Sequence, residues 1–346
     1  MPKRFHRYFK KYIRLLIPIF ASLLVGTVLI LIAGEKPIPT YINLFNAGFS
    51  CASGRGRCAL LTTLQFATTL IFSGLSATVA LKAGFLSIGQ AGQMLFGAAA
   101  ATWFGAHLKI VDWLHPAVAF IAAAFFGALW GLVPALLREY LGINEIISTL
   151  LLNPIAAFLV GQFRLPRIQE SAKLLPLVPS TKVTVGIFLG LIAALLVYLF
   201  IWKNARGLEI RNTAQAPRFA KYGGIANHKP ILVAMLVSGA LAGMAGAVEV
   251  LGVQYHFVSS FSAVNDFDGL IVAFVGNLHP LGVLLLSLLL GGLRSGAIVG
   301  LQIRSGIPRE LGGALIAILL IFAAMQKFNK TNGKRISHQP HGKIKN

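Results

Sequence analysis

Long, nearly charge-free apolar stretches follow one another along this chain. Each approaches the roughly 20 residues that an α-helix needs to cross a bilayer. They fall at residues 13–33, 60–81, 84–107, 114–137, 145–163, 184–202, 231–251, 281–301 and 311–325, with a short one at 268–277. In lipid every backbone N–H and C=O must find an internal partner, so runs of this length and composition fold as helices. The expected fold is an all-α polytopic membrane protein of about ten transmembrane helices.

Composition excludes the soluble alternatives. The chain has 346 residues, of which 56% are hydrophobic and 12% charged, whereas a soluble domain carries roughly a quarter of its residues as charges. The excess of 31 Lys/Arg over 10 Asp/Glu would suit a nucleic-acid binder if it formed a patch. Instead the basic residues gather at the ends of apolar spans, the pattern that orients membrane proteins. Six of them lie before or at the start of the first span, as in a signal peptide. That span is too long for a signal h-region, however, and it ends in G-E-K-P-I-P-T without a small-residue cleavage site.

A retained first helix with its N-terminus inside, followed by nine more crossings, returns the C-terminus to the cytoplasm. This layout puts twenty Lys/Arg inside and ten outside, with Arg294 in a span. That is the expected cytoplasmic bias; the 164–182 connection, with four basic residues outside, fits it least. Residues 1–12 then form a basic cytoplasmic N-terminus, 13–326 the transmembrane domain, and 327–346 a basic cytoplasmic tail expected to be disordered.

Many of the 36 glycines fall inside spans, where small residues let helix backbones approach closely. No G-x-x-x-x-G-K-S/T run occurs, so no ATP site of the phosphate-loop type is expected on this chain. Six residues, two of them Gly, separate Cys51 from Cys58 in the first outside loop. A disulfide closes such a span easily in an oxidising compartment, and two free thiols are the other reading. The eight His form no ligand-spaced cluster, so no metal site is expected.

Three polar groups interrupt the apolar spans, and intramembrane polar residues are costly enough to mark pathways. Ser87, Gln90 and Gln93 lie in the glycine-broken entry to the third span, where irregular backbone suits a cavity lining. Asn144, Glu145, Ser148, Thr149 and Asn153 open the fifth, the last four at spacings that share one helix face. Asn265, Asp266 and Asp268 stand at the start of the short 268–277 span. For Asn144, Glu145, Asp266 and Asp268, helix capping is an equally open reading. No catalytic constellation accompanies these groups, so an enzyme is not expected.

The longest polar break inside the membrane part, 203–230, carries six Lys/Arg against the single acid Glu209. It reads as a built element. Gly207 is a candidate hinge, Pro217 a helix start, and Gly223-Gly224 a helix stop.

Five segments together carry a family resemblance: G-L-S-A-T-V-A-L-K-A-G-F-L-S-I-G-Q-A-G-Q-M-L-F-G-A (74–98), G-I-N-E-I-I-S-T-L-L-L-N (142–153), G-L-E-I-R-N-T-A-Q-A-P-R-F-A-K-Y-G-G-I (207–225), S-G-A-L-A-G-M-A-G-A-V-E-V-L-G (238–252) and F-D-G-L-I-V-A-F-V-G-N-L-H-P-L-G (267–282). In this order they resemble the permease subunits of bacterial ATP-binding cassette (ABC) importers for simple sugars and nucleosides, related to the ribose and branched-chain amino-acid permeases. The nucleoside-type branch is the nearest. It usually has Asn in place of Ser87, Glu in place of Ala91 and an aromatic in place of Pro154, departures that bear on which solute is carried.

The resemblance implies a type II ABC importer-like permease in a bacterial inner membrane. Its implied partners are ATPase subunits that hold ATP and Mg, an external solute-binding protein and a second permease, identical or not. It implies no cofactor on this chain and no nucleic-acid partner. It also implies that the 203–230 segment couples to the ATPase, through Gly207, Glu209, Arg211, Pro217, Arg218, Tyr222 and Gly223. The polar groups Ser87, Gln90, Gln93, Asn144, Glu145, Ser148, Thr149, Asn153, Asp266 and Asp268 are the candidate translocation path.

Branched-chain amino-acid import is the alternative within the class, and zwitterions would want charge-pairing groups in the path. An ion-coupled secondary transporter is the alternative outside it, and would need a deep carboxylate. Glu249 is the only acid well inside a span, and that scarcity argues against ion coupling. A structural assembly factor without a path would show no transport when reconstituted with partners.

Overall fold

A computed structural model describes residues 23–32, 34–51, 58–108, 110–178, 181–225, 228–258 and 261–304, together with residues 313, 314 and 317. Most of the expected first span and of the 311–325 span, and both basic tails, lie outside the described residues. Among the described residues the chain is helical, with one isolated bridge between Pro176 and Thr184 and no strand. Among the described residues five helices are long and apolar enough to cross a membrane, or six if a bent pair counts as one span.

The chain divides into two compact units. The first comprises residues 1–48 and 293–346. It contains α1, Leu23–Ile32, and most of α2, Pro37–Phe49, which meet at 112° across a short break. The sequence reading left 34–59 as an outside loop. A helix forms there because Pro37 presets a first-turn φ and the run I-P-T-Y-I-N-L-F supplies apolar faces.

The second unit, residues 49–292, holds α3 (Ala59–Lys82), α4 (Gln90–His107), α5 (His115–Leu141) and α6 (Glu145–Gly161). After these come α7 (Gly186–Tyr198, extended as a π-helix to Lys203), α8 (Ala205–Gln215), α9 (Pro217–Tyr222) and α10 (His228–Glu249, extended as a π-helix to Gln254). α11 (Phe261–Val275) and α12 (Pro280–Ser295, extended as a π-helix to Arg304) complete the order.

α10 is the centre, packed against α3, α4 and α5. Its composition explains this: the run S-G-A-L-A-G-M-A-G presents almost no side-chain bulk, so neighbouring backbones close on it. At Gly243 a Cβ would run into the Ala123 carbonyl of α5 and lie 3.1 Å from Gly127 Cα. Lipid offers no hydrophobic drive between helices, and close van der Waals contact of this kind holds them together instead.

Two elements differ from expectation. The short span expected at 268–277 is α11, which begins earlier, at Phe261. Asp266 and Asp268 therefore lie in its second and third turns and not at its start, and neither is placed to cap its own helix. Gly207, expected as a hinge, is seen in a packing role. It is a buried residue near the start of α8, and a Cβ there would collide with the carbonyls of Phe200 and Ile201. Gly permits this fold-back of α8 onto the end of α7.

Candidate functional site

Between α3 and α4 the chain leaves the helix. Gly84 takes φ +72°, a left-handed conformation that favours Gly, and residues 83–89 run as irregular backbone, exposed at Gly84 and buried at Phe85, Ser87 and Gly89. α4 then starts at Gln90 behind Gly89, which supplies no side-chain cap. A helix start of this kind exposes amides that need partners, and in a protein interior they must come from elsewhere in the fold.

They come from α6 and α11. Asn153 Oδ1 accepts from the Gly92 amide at 2.9 Å, and Asn153 Nδ2 donates to the Ile88 carbonyl at 2.7 Å. Thr149 Oγ1 accepts from the Ile88 amide at 3.2 Å and donates to the Glu145 carbonyl at 2.6 Å. Asp266, 1% exposed, turns its carboxyl to the first two amides of α4, those of Gln90 and Ala91. The positive end of a helix is where a carboxylate is stabilised. Asn153 Nδ2 also reaches Asp266 Oδ2, at 3.4 Å, so side chains of two helices brace the start of a third. Ser87 Oγ accepts from the Gly89 amide at 3.3 Å, within the break itself.

Hydrogen-bonding capacity is left over. Gln90 accepts from Ser73 Oγ at 3.4 Å through Oε1, while its Nε2, both polar atoms of Gln93 and Asp266 Oδ1 have no partner among the described residues. Buried polar groups are normally paired, so a cluster of unpaired ones is suited to a polar visitor. Trp130 of α5 stacks on Phe96 at 4.1 Å beside Gly92, a flat apolar wall next to these groups.

Of the candidate path residues, the fold thus joins Ser87, Gln90, Thr149, Asn153 and Asp266 at one point, with Gln93 one turn further along α4. Ser148 is buried but bonds its own helix, at the Glu145 carbonyl. Asn144 stands apart as the N-cap of α6, accepting from the amides of Ile146 and Ile147. Glu145 pairs with Arg138 at 3.5 Å. Asp268 lies half-buried, two residues beyond Asp266 and so on another side of α11. The side chain of Asn265 is outside the described residues.

Sequence reading missed a row on α3. Thr69, Ser73 and Ser76 follow i, i+4, i+7 and share one face. Thr69 Oγ1 donates to Glu249 Oε2 at 3.1 Å, Ser73 reaches Gln90, and Ser76 pairs with Ser238 at 3.0 Å. That spacing was readable, but single hydroxyls in an apolar run carry little signal by themselves.

The 203–230 stretch forms two short helices. Asn204 caps α8, accepting from the Arg206 amide. Pro217 opens α9, and Gly223 and Gly224 close it, the latter at φ +79°. Glu209, Pro217, Arg218, Tyr222 and Gly223 are exposed, Arg211 is half-buried, and Gly207 is internal. Phe219, 71% exposed, joins Tyr222 at 91% as an aromatic pair that expectation had left half-named.

Behind α9 lies a cavity of ≈ 240 Å³, lined by Ala83, Gly84, Arg138, Glu139, Thr213 and Pro217 among others. A Cβ at Gly84 would meet Ala214 Cβ at 3.2 Å, so α8 rests directly on the break before α4. Arg138 Nη1 donates to the Gly84 carbonyl at 3.1 Å, and its guanidinium covers the Phe85 ring.

Cys51 and Cys58 are paired as a disulfide with Cα atoms 4.2 Å apart; residues 52–57 between them lie outside the described residues. Among the described residues no group of three or more His, Cys, Asp or Glu could hold a metal ion.

Comparison with known proteins adds a consistent set of relatives. Residues 59–324 match the family described as branched-chain amino acid transport system, permease component. The guanosine ABC transporter permease protein of Bacillus subtilis is 33% identical over 91% of this chain and 94% of its own length. The nucleoside ABC transporter permease protein of Lactococcus lactis is 30% identical over 90% and 91%. The glucose ABC transporter permease protein of Haloferax volcanii is 29% identical over 90% and 87%.

Proposed function

Because the chain belongs to the branched-chain amino acid transport system permease-component family, we propose that it passes a nucleoside or simple sugar across the membrane through the polar break at the start of α4. The chain is a multi-pass permease subunit of an ABC importer, a transport subunit and not an enzyme. ATPase and binding-protein partners come with that class. Nucleosides rank first because relatives carrying that label match nearly the whole chain.

The observation that carries the solute class is the chemistry of the break. Gln90, Gln93, Thr149 and Asn153 offer neutral donors and acceptors, and spare hydrogen-bonding atoms remain on both glutamines. Asp266 has no cation paired with it among the described ion pairs. A zwitterionic amino acid would call for both signs of charge, so this lining supports an uncharged polar solute.

Ten crossings with both termini in the cytoplasm, in a bacterial inner membrane and of the type II importer kind, complete the proposal. In it α9 docks on the ATPase through Arg218, Phe219 and Tyr222, with Glu209 and Arg211 of α8 beside it. ATP and Mg reside on that partner, and a second permease, identical or not, completes the channel. Closure of the ATPases moves α9, and the bundle tilts as a rigid body between its outward- and inward-open states.

The test is uptake by the complex reconstituted in liposomes with its ATPase and binding protein. Labelled nucleoside enters only with internal ATP, and excess nucleoside or sugar competes while leucine does not. ATP-independent uptake driven by a proton or sodium gradient refutes the reading. Competition by leucine alone favours the amino-acid alternative. Pro217→Ala combined with Tyr222→Ala abolishes uptake and ATPase association; survival of both refutes the docking assignment.

A further inference from the structure

Glu249 is a carboxylate inside a span that the polar break does not use, and its surroundings are those of a binding group. Thr69 Oγ1 donates to Oε2 and Gln254 Nε2 donates to Oε1, each at 3.1 Å. No cation is paired with it among the described ion pairs, and the residue is partly exposed. A carboxylate held in a membrane span by two neutral donors is costly and is a functional site by default. Each oxygen has room for one more hydrogen bond, since an ionised carboxylate accepts about four in all.

The backbone points the same way. Directly after Glu249 the helix widens into the π-turn Val250–Gln254, a distortion that concentrates at functional sites. It ends at Tyr255, a non-Gly residue at φ +60°, held there by bonds from the Tyr255 amide to the Val250 carbonyl and from the Ile168 amide to the Tyr255 carbonyl. Left-handed backbone at a bulky residue is strained, and it persists where the surroundings fix it. Gln254, one of the two donors, lies inside this turn, so the distortion itself aims a donor at Glu249. From Glu249 the α3 row leads on through Thr69 and Ser73 to Gln90.

We infer that Glu249, oriented by Thr69 and Gln254, binds two adjacent hydroxyls of the transported solute at a station separate from the polar break. One lone-pair direction left on each of two neighbouring oxygens matches a pair of adjacent O–H donors. A vicinal diol is the chemistry that a ribonucleoside and a simple sugar share. The inference takes import of that solute class as given.

The test compares uptake of a nucleoside with that of its 2′,3′-dideoxy analogue by the reconstituted complex. The same binding protein is used throughout, so its own selectivity cancels between variants. The wild type prefers the diol by about tenfold or more, a difference of about 1.4 kcal/mol. Glu249→Gln co-purifies with the ATPase and loses most of that preference, chiefly through slower uptake of the parent nucleoside. Thr69→Ala raises KM for the parent and leaves the dideoxy analogue unaffected, whereas Thr69→Ser restores the wild-type ratio. These two variants decide the question should Glu249→Gln fail to assemble. Parent uptake with an unchanged ratio in Glu249→Gln or Thr69→Ala overturns the diol site alone. A wild-type complex that carries neither nucleoside nor sugar overturns the import reading and the site with it.

Discussion

Asn153→Leu is the sharpest perturbation of the break. Leu has nearly the shape of Asn, so the change removes hydrogen bonds with little change in packing volume. Two buried backbone groups lose their partners: the Ile88 carbonyl, bonded at 2.7 Å, and the Gly92 amide, bonded at 2.9 Å. A buried polar group left unpaired costs about 1–3 kcal/mol, so the two together cost about 2–6 kcal/mol. The third bond, to Asp266 at 3.4 Å, is near the geometric limit and adds little. For a chain of this size the loss lowers the thermal midpoint by roughly 3–8 °C.

Asn153→Asp is the informative companion. It keeps an acceptor for Gly92, removes the donor to Ile88 and sets a second carboxylate beside Asp266. At 3.4 Å and an effective dielectric of about 20, two like charges repel by about 5 kcal/mol. The expected order of midpoints in nanodiscs at neutral pH is therefore wild type above Leu, and Asp no higher than Leu, at equal loading. A Leu variant that melts within about a degree of wild type, or an Asp variant that melts like wild type, refutes the bracing role of Asn153. Water would then be satisfying the break.

Gly243→Val forces a side chain against the Ala123 carbonyl and Gly127. Overpacking of this kind costs about 1–3 kcal/mol or more, and size-exclusion of the assembled complex shows a marked loss of intact particles. Arg138→Ala removes the bond to the Gly84 carbonyl and the pair with Glu145. Solute moved per ATP hydrolysed falls severalfold, and Arg138→Lys restores it only in part because an ammonium lacks the planar fork. Phe219→Ala with Tyr222→Ala alters only exposed side chains, so the midpoint moves by less than the equivalent of about 0.5 kcal/mol per site. Co-purification of the ATPase is lost nonetheless.

What was legible in the chain follows from how local each cause is. Pro217 and Gly223 announce α9 because a fixed φ and a missing Cβ act within one turn, and Asn144 announces its own cap for the same reason. Asp266 gave a misleading signal. Its negative charge beside an apolar run looks like the start of α11, yet it faces the start of α4, a partnership across 176 residues that no local pattern contains. Gly207 resembles a hinge because Gly serves both flexibility and close approach, and only the position of the Phe200 carbonyl separates the two. α2 escaped notice because its apolar face is interrupted by Pro and Thr at the spacing of an ordinary loop.

The proposed docking segment and the polar break are in direct contact. α8 rests on Gly84 through Ala214, and Arg138 grips the Gly84 carbonyl from α5, so the near end of the break is clasped from two sides. Its far end, at Ile88 and Gly92, is held by Thr149 and Asn153 of α6. The seven residues between α3 and α4 carry no helical hydrogen-bond ladder, so a displacement of α8 and α9 deforms them at less cost than it would bend either helix. The ≈ 240 Å³ cavity behind α9 gives that displacement room. In the proposed docking mechanism a push at Pro217 would reach Gln90 and Asp266 through these contacts, beside the tightly packed glycine seam of α10.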